Sequence, residues 1–355
     1  MSTFSGLFVR HYMGQTPQSG NDGWSGSPDV IFAGTSPLSN SDLSQLGTTL
    51  YNKDFGSTVY MNQQNYVYMR ALNTTGATTT GRMWFYYTES DLALWPGKWR
   101  SDCIKVQGID SNYETVTATA GAVAVTQQPL IWTPPPYSPG HSSGDHYCVI
   151  LWGEDPQVNP PVPPVNSVPN FNTWQDLANF VSSHPNVGFR NTQDITQNLP
   201  TQQWSLAVTG PQNPGQVWIG IQCNNMPTDG FVSYNVPGLL PPPSQKIPIS
   251  FPNMNSSQPV TWPGSSFATS LNITYWQGAT VPPAGASITP VVFLPATMLS
   301  NHTLSMAVQN TPYRLRYFEQ YIPEEHKTKR KLSAQVGGNI PGLVFGSTPL
   351  MFRGP

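Results

Sequence analysis

Residues 65–73 read NYVYMRALN, and residues 82–88 read RMWFYYT. In the first, Val67, Met69 and Ala71 fall on one side of an extended chain, with Tyr66, Tyr68 and Arg70 on the other. In the second, Met83, Phe85 and Tyr87 oppose Trp84 and Tyr86. A period of two sends alternate side chains to opposite faces of a strand; a helix would repeat its apolar positions every three or four residues. The same alternation recurs in PLIWT (129–133), HYCVILWG (146–153), WSLAVTG (204–210), VWIGIQC (217–223), FVSYNV (231–236) and KIPISF (246–251). It continues in SLNITYW (270–276), ITPVVFLP (288–295), TLSMAV (303–308) and YRLRYFEQYI (313–322). Each run is short, rich in β-branched and aromatic residues, and bounded by Gly, Pro, Asn or Ser. That predicts an all-β protein made of antiparallel sandwiches.

One segment breaks the pattern. In TWQDLANFVSSH (173–184), Thr173 can cap a helix with Asp176 near its positive end, and Trp174, Leu177 and Val181 share a face with Phe180 beside them. A single short helix is expected there. The preceding DPQVNPPVPPVNSVPN (155–170) is held extended by its prolines and cannot join a central sheet. Polar QDITQNLPTQQ (193–203) separates two sets of strands. The expected organisation is an Ig-like sandwich over 1–195 that carries the proline-rich insertion and the helix, a second sandwich over 196–322, and an extended C-terminal tail over 323–355. The apolar residues of that tail, Leu343, Val344, Phe345, Leu350, Met351 and Phe352, are each worth about 1.5–3 kcal/mol when fully buried. They are expected to dock, either on their own domain or on a neighbouring copy as assembly residues.

The chain has 355 residues, 16 Lys and Arg against 18 Asp and Glu, and a net charge of -2. Without a basic excess there is nothing to hold a phosphate backbone, so nucleic acid is not an expected partner. Charged residues are only 10% of the chain, against the usual ~25%. With 37 Pro and 30 Gly, the two together stay below the ~25–30% of a disordered low-complexity chain. Aromatics at 12%, including 11 Trp, demand a packed interior. No window approaches the ~18 apolar residues of a membrane span. In MSTFSGLFVRHYMG (1–14), Arg10 and His11 interrupt the apolar run a leader would need. The expectation is a soluble chain made in the cytoplasm, with any extracellular or particle-associated release bypassing a cleaved signal. Three cysteines, Cys103, Cys148 and Cys223, do not make a disulfide framework and read as buried thiols.

Several segments of the first half resemble, in order, a bacterial Ig-like adhesion-type module of the CARDB-like kind. They are LFVRHYMGQTP (7–17), WSGSPDVIF (24–32), NYVYMRALNTTG (65–76), WPGKW (95–99), PLIWTPPPYSPGHSSGDHYCVILW (129–152) and NVGFRNTQDI (186–195). The resemblance covers about residues 4–195. It implies an antiparallel β-sandwich of the sort appended to secreted enzymes and surface proteins, and it implies no catalytic residues.

Chemical constellations are sparse. HSSGDHYC (141–148) gathers His141, Asp145, His146 and Cys148, residue types that suit Zn²⁺, but His146 and Cys148 alternate at a strand and read as structural. Neither GxSxG, P-loop nor Rossmann fingerprint occurs. Glu89/Asp91 and Glu154/Asp155 are the paired carboxylates a glycosidase would need, at a frequency chance supplies. NDGWSGSPD (21–29) is oxygen-rich but lacks EF-hand spacing. The expectation is no catalytic residue, cofactor or metal. WPGKW presents Trp95 and Trp99 around a Pro-Gly turn, either as a platform for a sugar ring or as plugs of the sandwich edge. Sequons at Asn73, Asn255, Asn272 and Asn301 are near chance in so Asn-, Ser- and Thr-rich a chain. The basic run HKTKRK (326–331) is a solvated loop or a contact steered towards an acidic patch.

Low charge bears most directly on function. A surface of Asn, Gln, Ser, Thr, Gly and Pro minimises repulsion between copies and is cheap to desolvate, whereas free monomers ordinarily keep charged surfaces. The expected function is a non-enzymatic structural subunit that self-assembles into a filament, tube or lattice through sandwich contacts and its tail, with copies of itself as partners. The alternative is a binding module: an adhesin, a carbohydrate-binding protein, or the surface-recognition part of a toxin or phage particle, with a glycan or cell-surface ligand.

Overall fold

The structure is a computed structural model. It describes residues 4–18, 25–57, 59–60, 62–89, 91–135, 146–155, 158–192, 194–195, 200–240, 246–264, 267–295, 298, 316–319, 339–347 and 349–352, with backbone alone for 194–195, 316–319, 339–342 and 351. The chain is all-β, as the alternating runs predict.

The first sandwich pairs two sheets. One gathers β1 (Leu7–Phe8), β2 (Val30–Phe32), β3 (Asn65–Asn73), β5 (Ile104–Val106), β7 (Val123–Val125) and β8 (Leu130–Trp132) around β3. The other runs β10-β9-β4-β6, from β4 (Thr79–Glu89), β6 (Tyr113–Ala118), β9 (Tyr147–Glu154) and β10 (Val187–Asn191). Val67, Met69 and Ala71 of β3 meet Met83, Phe85 and Tyr87 of β4 in the core between them. The opposite face of β4, Trp84 and Tyr86, is buried too, in a second core. A sheet covered on both faces reads as an unbroken apolar run, which explains YCVILW in β9.

What covers that second face is helix α2 (Trp174–Ser183) with the 91–99 loop. Thr173 and Asp176 form the reciprocal capping box the sequence calls for. Phe180 packs on Trp99 and Trp152 at ring-centroid distances of 5.9 and 5.8 Å. A further helix, α1 (Asn40–Gln45), was not expected; its cap is Ser39, whose hydroxyl accepts from the Asp42 N–H.

The second sandwich has a sheet ordered β12-β17-β14-β15, from β12 (Thr201–Thr209), β14 (Phe231–Asn235), β15 (Ile247–Pro248) and β17 (Ala268–Trp276). Its other sheet contains β11 (Asp194–Ile195), β13 (Gly215–Asn224), β16 (Asn255–Trp262), β18 (Ser287–Pro295), β19 (Arg316–Glu319), β20 (Asn339–Ser347) and β21 (Leu350–Phe352). The main path is β11-β21-β18-β13-β16, with β20 also on β18 and β19 on β20. The core of this sandwich is continuous with that under α2: Trp174 packs on Trp95 of the first half and on Trp262 and Phe345 of the second.

Two expectations about organisation are corrected. The boundary lies before β11, because Asp194 and Ile195 pair in parallel with Met351 and Phe352. Residues 339–352 are not a separate tail: β20 and β21 are strands of the second sandwich, hydrogen-bonded along β18. Leu343, Val344, Phe345, Leu350 and Phe352 are all buried. The physical reason is the one that made them costly in water: β18 carries Val291, Val292 and Phe293, and these side chains cover it. The segment also ties the halves together. The Ser25 N–H donates to Ser347 Oγ (2.9 Å) and Asn191 Nδ2 to the Pro349 carbonyl (2.9 Å).

At the outer face of β3, buried Asp29 accepts from the Arg10 backbone N–H (2.8 Å), from the Arg10 guanidinium and from Arg70 Nε (3.0 Å). The Tyr51 ring lies 3.6 Å beneath the Arg10 guanidinium carbon. Burial lowers the Arg70 pKa and raises that of Tyr51. The polar residues of SPD and of the strand ending R-x-x-N thus fix how the N-terminal segment crosses the first sheet.

Candidate functional site

Two features of the junction and of the second sandwich have the geometry of contact sites. The first is a cleft of about 540 Å³ where the sandwiches meet. Its walls are the Trp95–Lys98 turn, the end of the proline-rich link from Val165 to Asn172, the Thr209–Gln212 turn, and Phe267–Ala268. Pro96 opens a 3₁₀ turn, which its fixed φ favours. Trp95 Nε1 donates to the Thr209 carbonyl (3.0 Å) and Trp99 Nε1 to the Leu94 carbonyl (3.2 Å). Both indoles are 8% exposed. Among the described residues they plug the junction, with Trp95 reached from the cleft; of the two readings of WPGKW this is the plug and not the open stacking platform. Gly210 is required on the floor: a Cβ there would lie 1.9 Å from the Trp262 ring.

Buried Asp91 ties two of the lining residues, Lys98 and Thr209, together from behind the wall. Its oxygens accept from the Ala93 N–H (3.1 Å), the Thr209 N–H (3.2 Å), the Thr209 hydroxyl and Lys98 Nζ (2.9 Å). The cation of Lys98 is therefore balanced on the spot. Phe171 and Phe267 are half-buried, while Asn170, Asn172 and Gln212 are exposed.

The second feature is the outer edge of β12. Ala207 accepts from the Leu92 N–H (3.0 Å) on the side away from β17. In an antiparallel ladder, alternate residues turn their N–H and C=O groups outward, so Thr201, Gln203 and Ser205 face the same way. Asp91 and Leu92 cover the Ala207–Thr209 end. Thr201, Gln203 and Ser205 have no backbone partner on that side among the described residues. The outer face of this sheet runs Gln203–Thr274–Ser233 and Ser205–Asn272–Asn235 across the strands, with no charged residue in either row.

The other sequence candidates have structural placements. His146 and Cys148 are buried, and burial pushes the Cys148 thiol up to about 12; His141 and Asp145 lie outside the described residues. No group of three or more His, Cys, Asp or Glu is placed to hold a metal among the described residues. Asp29 of the oxygen-rich loop is held by two arginines. Glu154 accepts from Trp84 Nε1 (2.8 Å). Asn73 is buried and donates to three backbone carbonyls, so that sequon is inaccessible. The HKTKRK run, Asn301 and the Met351 side chain lie outside the described residues. Sequence reading missed the cleft and the β12 edge. The signal for the edge was present: TQQWS has neither lysine nor an internal proline, the usual guards of an exposed strand.

No helix among the described residues is long and apolar enough to cross a membrane. No family model and no curated protein matches the chain, so the CARDB-like resemblance gains no support from them. Among solved structures it is similar to red sea bream transglutaminase (12% identity, TM-score 0.21, covering 67% of this chain and 27% of that one). It is similar to the secreted serine protease VesC from Vibrio cholerae (10%, 0.18, 66% and 49%). It is also similar to the collagen adhesin of S. aureus (9%, 0.19, 67% and 83%). The chain thus spans between about a quarter and half of the first two. Likeness this slight carries no argument about function.

Proposed function

We propose that the chain is a non-enzymatic structural subunit that associates with copies of itself, its β12 edge pairing antiparallel with the β12 edge of a second copy. The observation that carries this reading is the run Thr201–Ser205, without a backbone partner on its outer side among the described residues and beside two rows of the sheet face that hold no charged residue, in a chain that is only 10% charged. Such an edge is a template for another strand, and a two-fold pairing is self-complementary. Growth into a filament or lattice takes a second, heterologous contact on top of this pair. The test is light-scattering mass against concentration for the full chain and for Gln203→Pro. Because the Gln203 N–H points outward, proline removes a donor from the open edge and none from the β12–β17 ladder. The expected result is a concentration-dependent oligomer that the variant loses while its melting is retained. A monomer at every concentration, or an oligomer indifferent to Gln203→Pro, overturns the reading. A second reading, a binding module, is favoured by the junction cleft.

A further inference from the structure

The junction cleft specifies the chemistry of its ligand, a refinement that rests on the binding-module reading and deepens it. The volume, about 540 Å³, falls within the ~300–1,000 Å³ of small-molecule pockets. Its walls are made by separate segments that the fused core holds in place, so it is preformed. Its chemistry is of two kinds. Phe171, Phe267 and the edge of Trp95 supply apolar surface. Asn170, Asn172 and Gln212 supply side-chain amides, each with donors and an acceptor. No hydrogen bond engages these amides among the described residues, where the backbone of Asn172 alone is tied down, to Asp176 and Asn213.

Charge narrows the class. Lys98 is the one cation among the described residues of the wall, and it is already 2.9 Å from Asp91 and 2.6 Å from the Thr209 hydroxyl. A phosphate, sulfate or carboxylate entering the cleft would have to compete with Asp91 for that ammonium and would meet no other positive side chain of the wall. A cationic ligand would meet no free carboxylate there. What the walls match is an uncharged molecule with many hydroxyls and a flat apolar face: the hydroxyls pair with amides, and the C–H face lies on a ring. We propose that the junction cleft binds a neutral saccharide, with Asn170, Asn172 and Gln212 reading hydroxyls and Phe171 and Phe267 packing on the ring face.

The test is titration of the full chain with neutral tetrasaccharides (β-1,4-glucan, α-1,4-glucan, mannan, xylan and N-acetylglucosamine series), followed by tryptophan fluorescence and calorimetry. Decaproline and a sulfated tetrasaccharide serve as comparison probes. Asn172→Ala, Gln212→Ala and Phe171→Ala are measured alongside, with circular dichroism to check folding. The expected result is saturable binding of at least one neutral sugar, weakened about tenfold by each substitution. Sugar binding unaffected by all three substitutions overturns the cleft assignment while leaving a binding module elsewhere on the chain. Cleft-dependent binding of decaproline or of the sulfated sugar alone overturns the neutral-saccharide assignment and keeps the cleft. Binding of none of the probes overturns the saccharide proposal and removes the support that the binding-module reading draws from it.

Discussion

Truncating the chain after Lys331 removes β20 and β21, and the structure fixes what that must do. Five side chains, Leu343, Val344, Phe345, Leu350 and Phe352, are at most 1% exposed. At about 1.5–3 kcal/mol each, their burial is worth roughly 8–15 kcal/mol as an upper estimate. Whole domains are stable by only about 5–15 kcal/mol. The loss also opens β18, leaving Val291, Val292 and Phe293 facing water along a bare edge. The truncated chain is therefore expected to lose the second sandwich while the first, which has its own core, persists. Thermal unfolding should show the loss of cooperative signal, and limited proteolysis should cut within residues 200–295 while sparing 25–132. A synthetic peptide of residues 339–352 added in trans should restore protection. Phe345→Ala, which removes a ring 5.5 Å from Trp174, is the graded version and should cost about 3–5 kcal/mol. A truncated protein that melts with the full-length one, resists protease equally and loses only oligomer mass would refute this reasoning. It would make the segment a connector between copies.

Asp29→Ala leaves Arg10 and Arg70 buried without their carboxylate and should destabilise the first sandwich by about 3–5 kcal/mol, read as a lowered urea midpoint. Cys148 and Cys223 are buried with thiols pushed up to about 12, whereas Cys103, its thiol also raised by burial, is only half-buried at the edge of the first core. An aromatic disulfide reagent at pH 8 should therefore titrate one thiol in the native protein and three in guanidinium, and a fast second equivalent would contradict the packing. Burial lowers the His184 pKa in the folded state, so the unfolded chain binds the extra proton. Stability should fall as pH drops through the ordinary histidine range near 6.5, and His184→Gln should flatten that part of a melting-temperature profile.

Much of this architecture was legible because alternation survives even where both faces are buried. Met83, Phe85 and Tyr87 separate from Trp84 and Tyr86 into different cores, as a period of two requires. The helix was legible because its cap and its apolar face are local. Tail docking was legible only as a demand for burial: Leu343 and Phe345 must be covered, but their partners in β18 lie far back along the chain, and no local pattern names them. The cleft was illegible for the same reason, since its walls come from residues near 96, 170, 210 and 267 and meet only after both sandwiches pack on α2. WPGKW left platform and plug both open, because what decides between them is the helix that covers the tryptophans, and it comes from about 75 residues further on.

The distribution of these contacts implies an order of assembly. The first sandwich closes with strands up to β10, and none of its inner core comes from beyond residue 151. The second cannot close until residues 339–352 pair with β18, and the same residues reach back to Ser25 and Asn191. Contacts this distant in sequence form slowly, because loop closure must precede their reward. Until they form, β18 and β12 both offer bare edges, and a bare edge pairs with whatever strand is nearest. Once β20 and β21 cover β18, the Thr201–Ser205 half of β12 stays open among the described residues, and its rows of Ser, Thr, Asn and Gln favour a specific two-fold match over indiscriminate apolar contact. Docking of residues 339–352 thus removes the β18 edge from the subunit and leaves that of β12. Gly346→Ala, whose Cβ would lie 2.1 Å from the Leu92 carbonyl oxygen and 2.6 Å from Val292 Cγ1, should therefore do more than destabilise. It should raise irregular aggregation during refolding at the expense of the regular oligomer, measured by turbidity and light scattering on the same samples. Weakened stability with no rise in aggregation would show that β18 is protected by something other than the strands that cover it here.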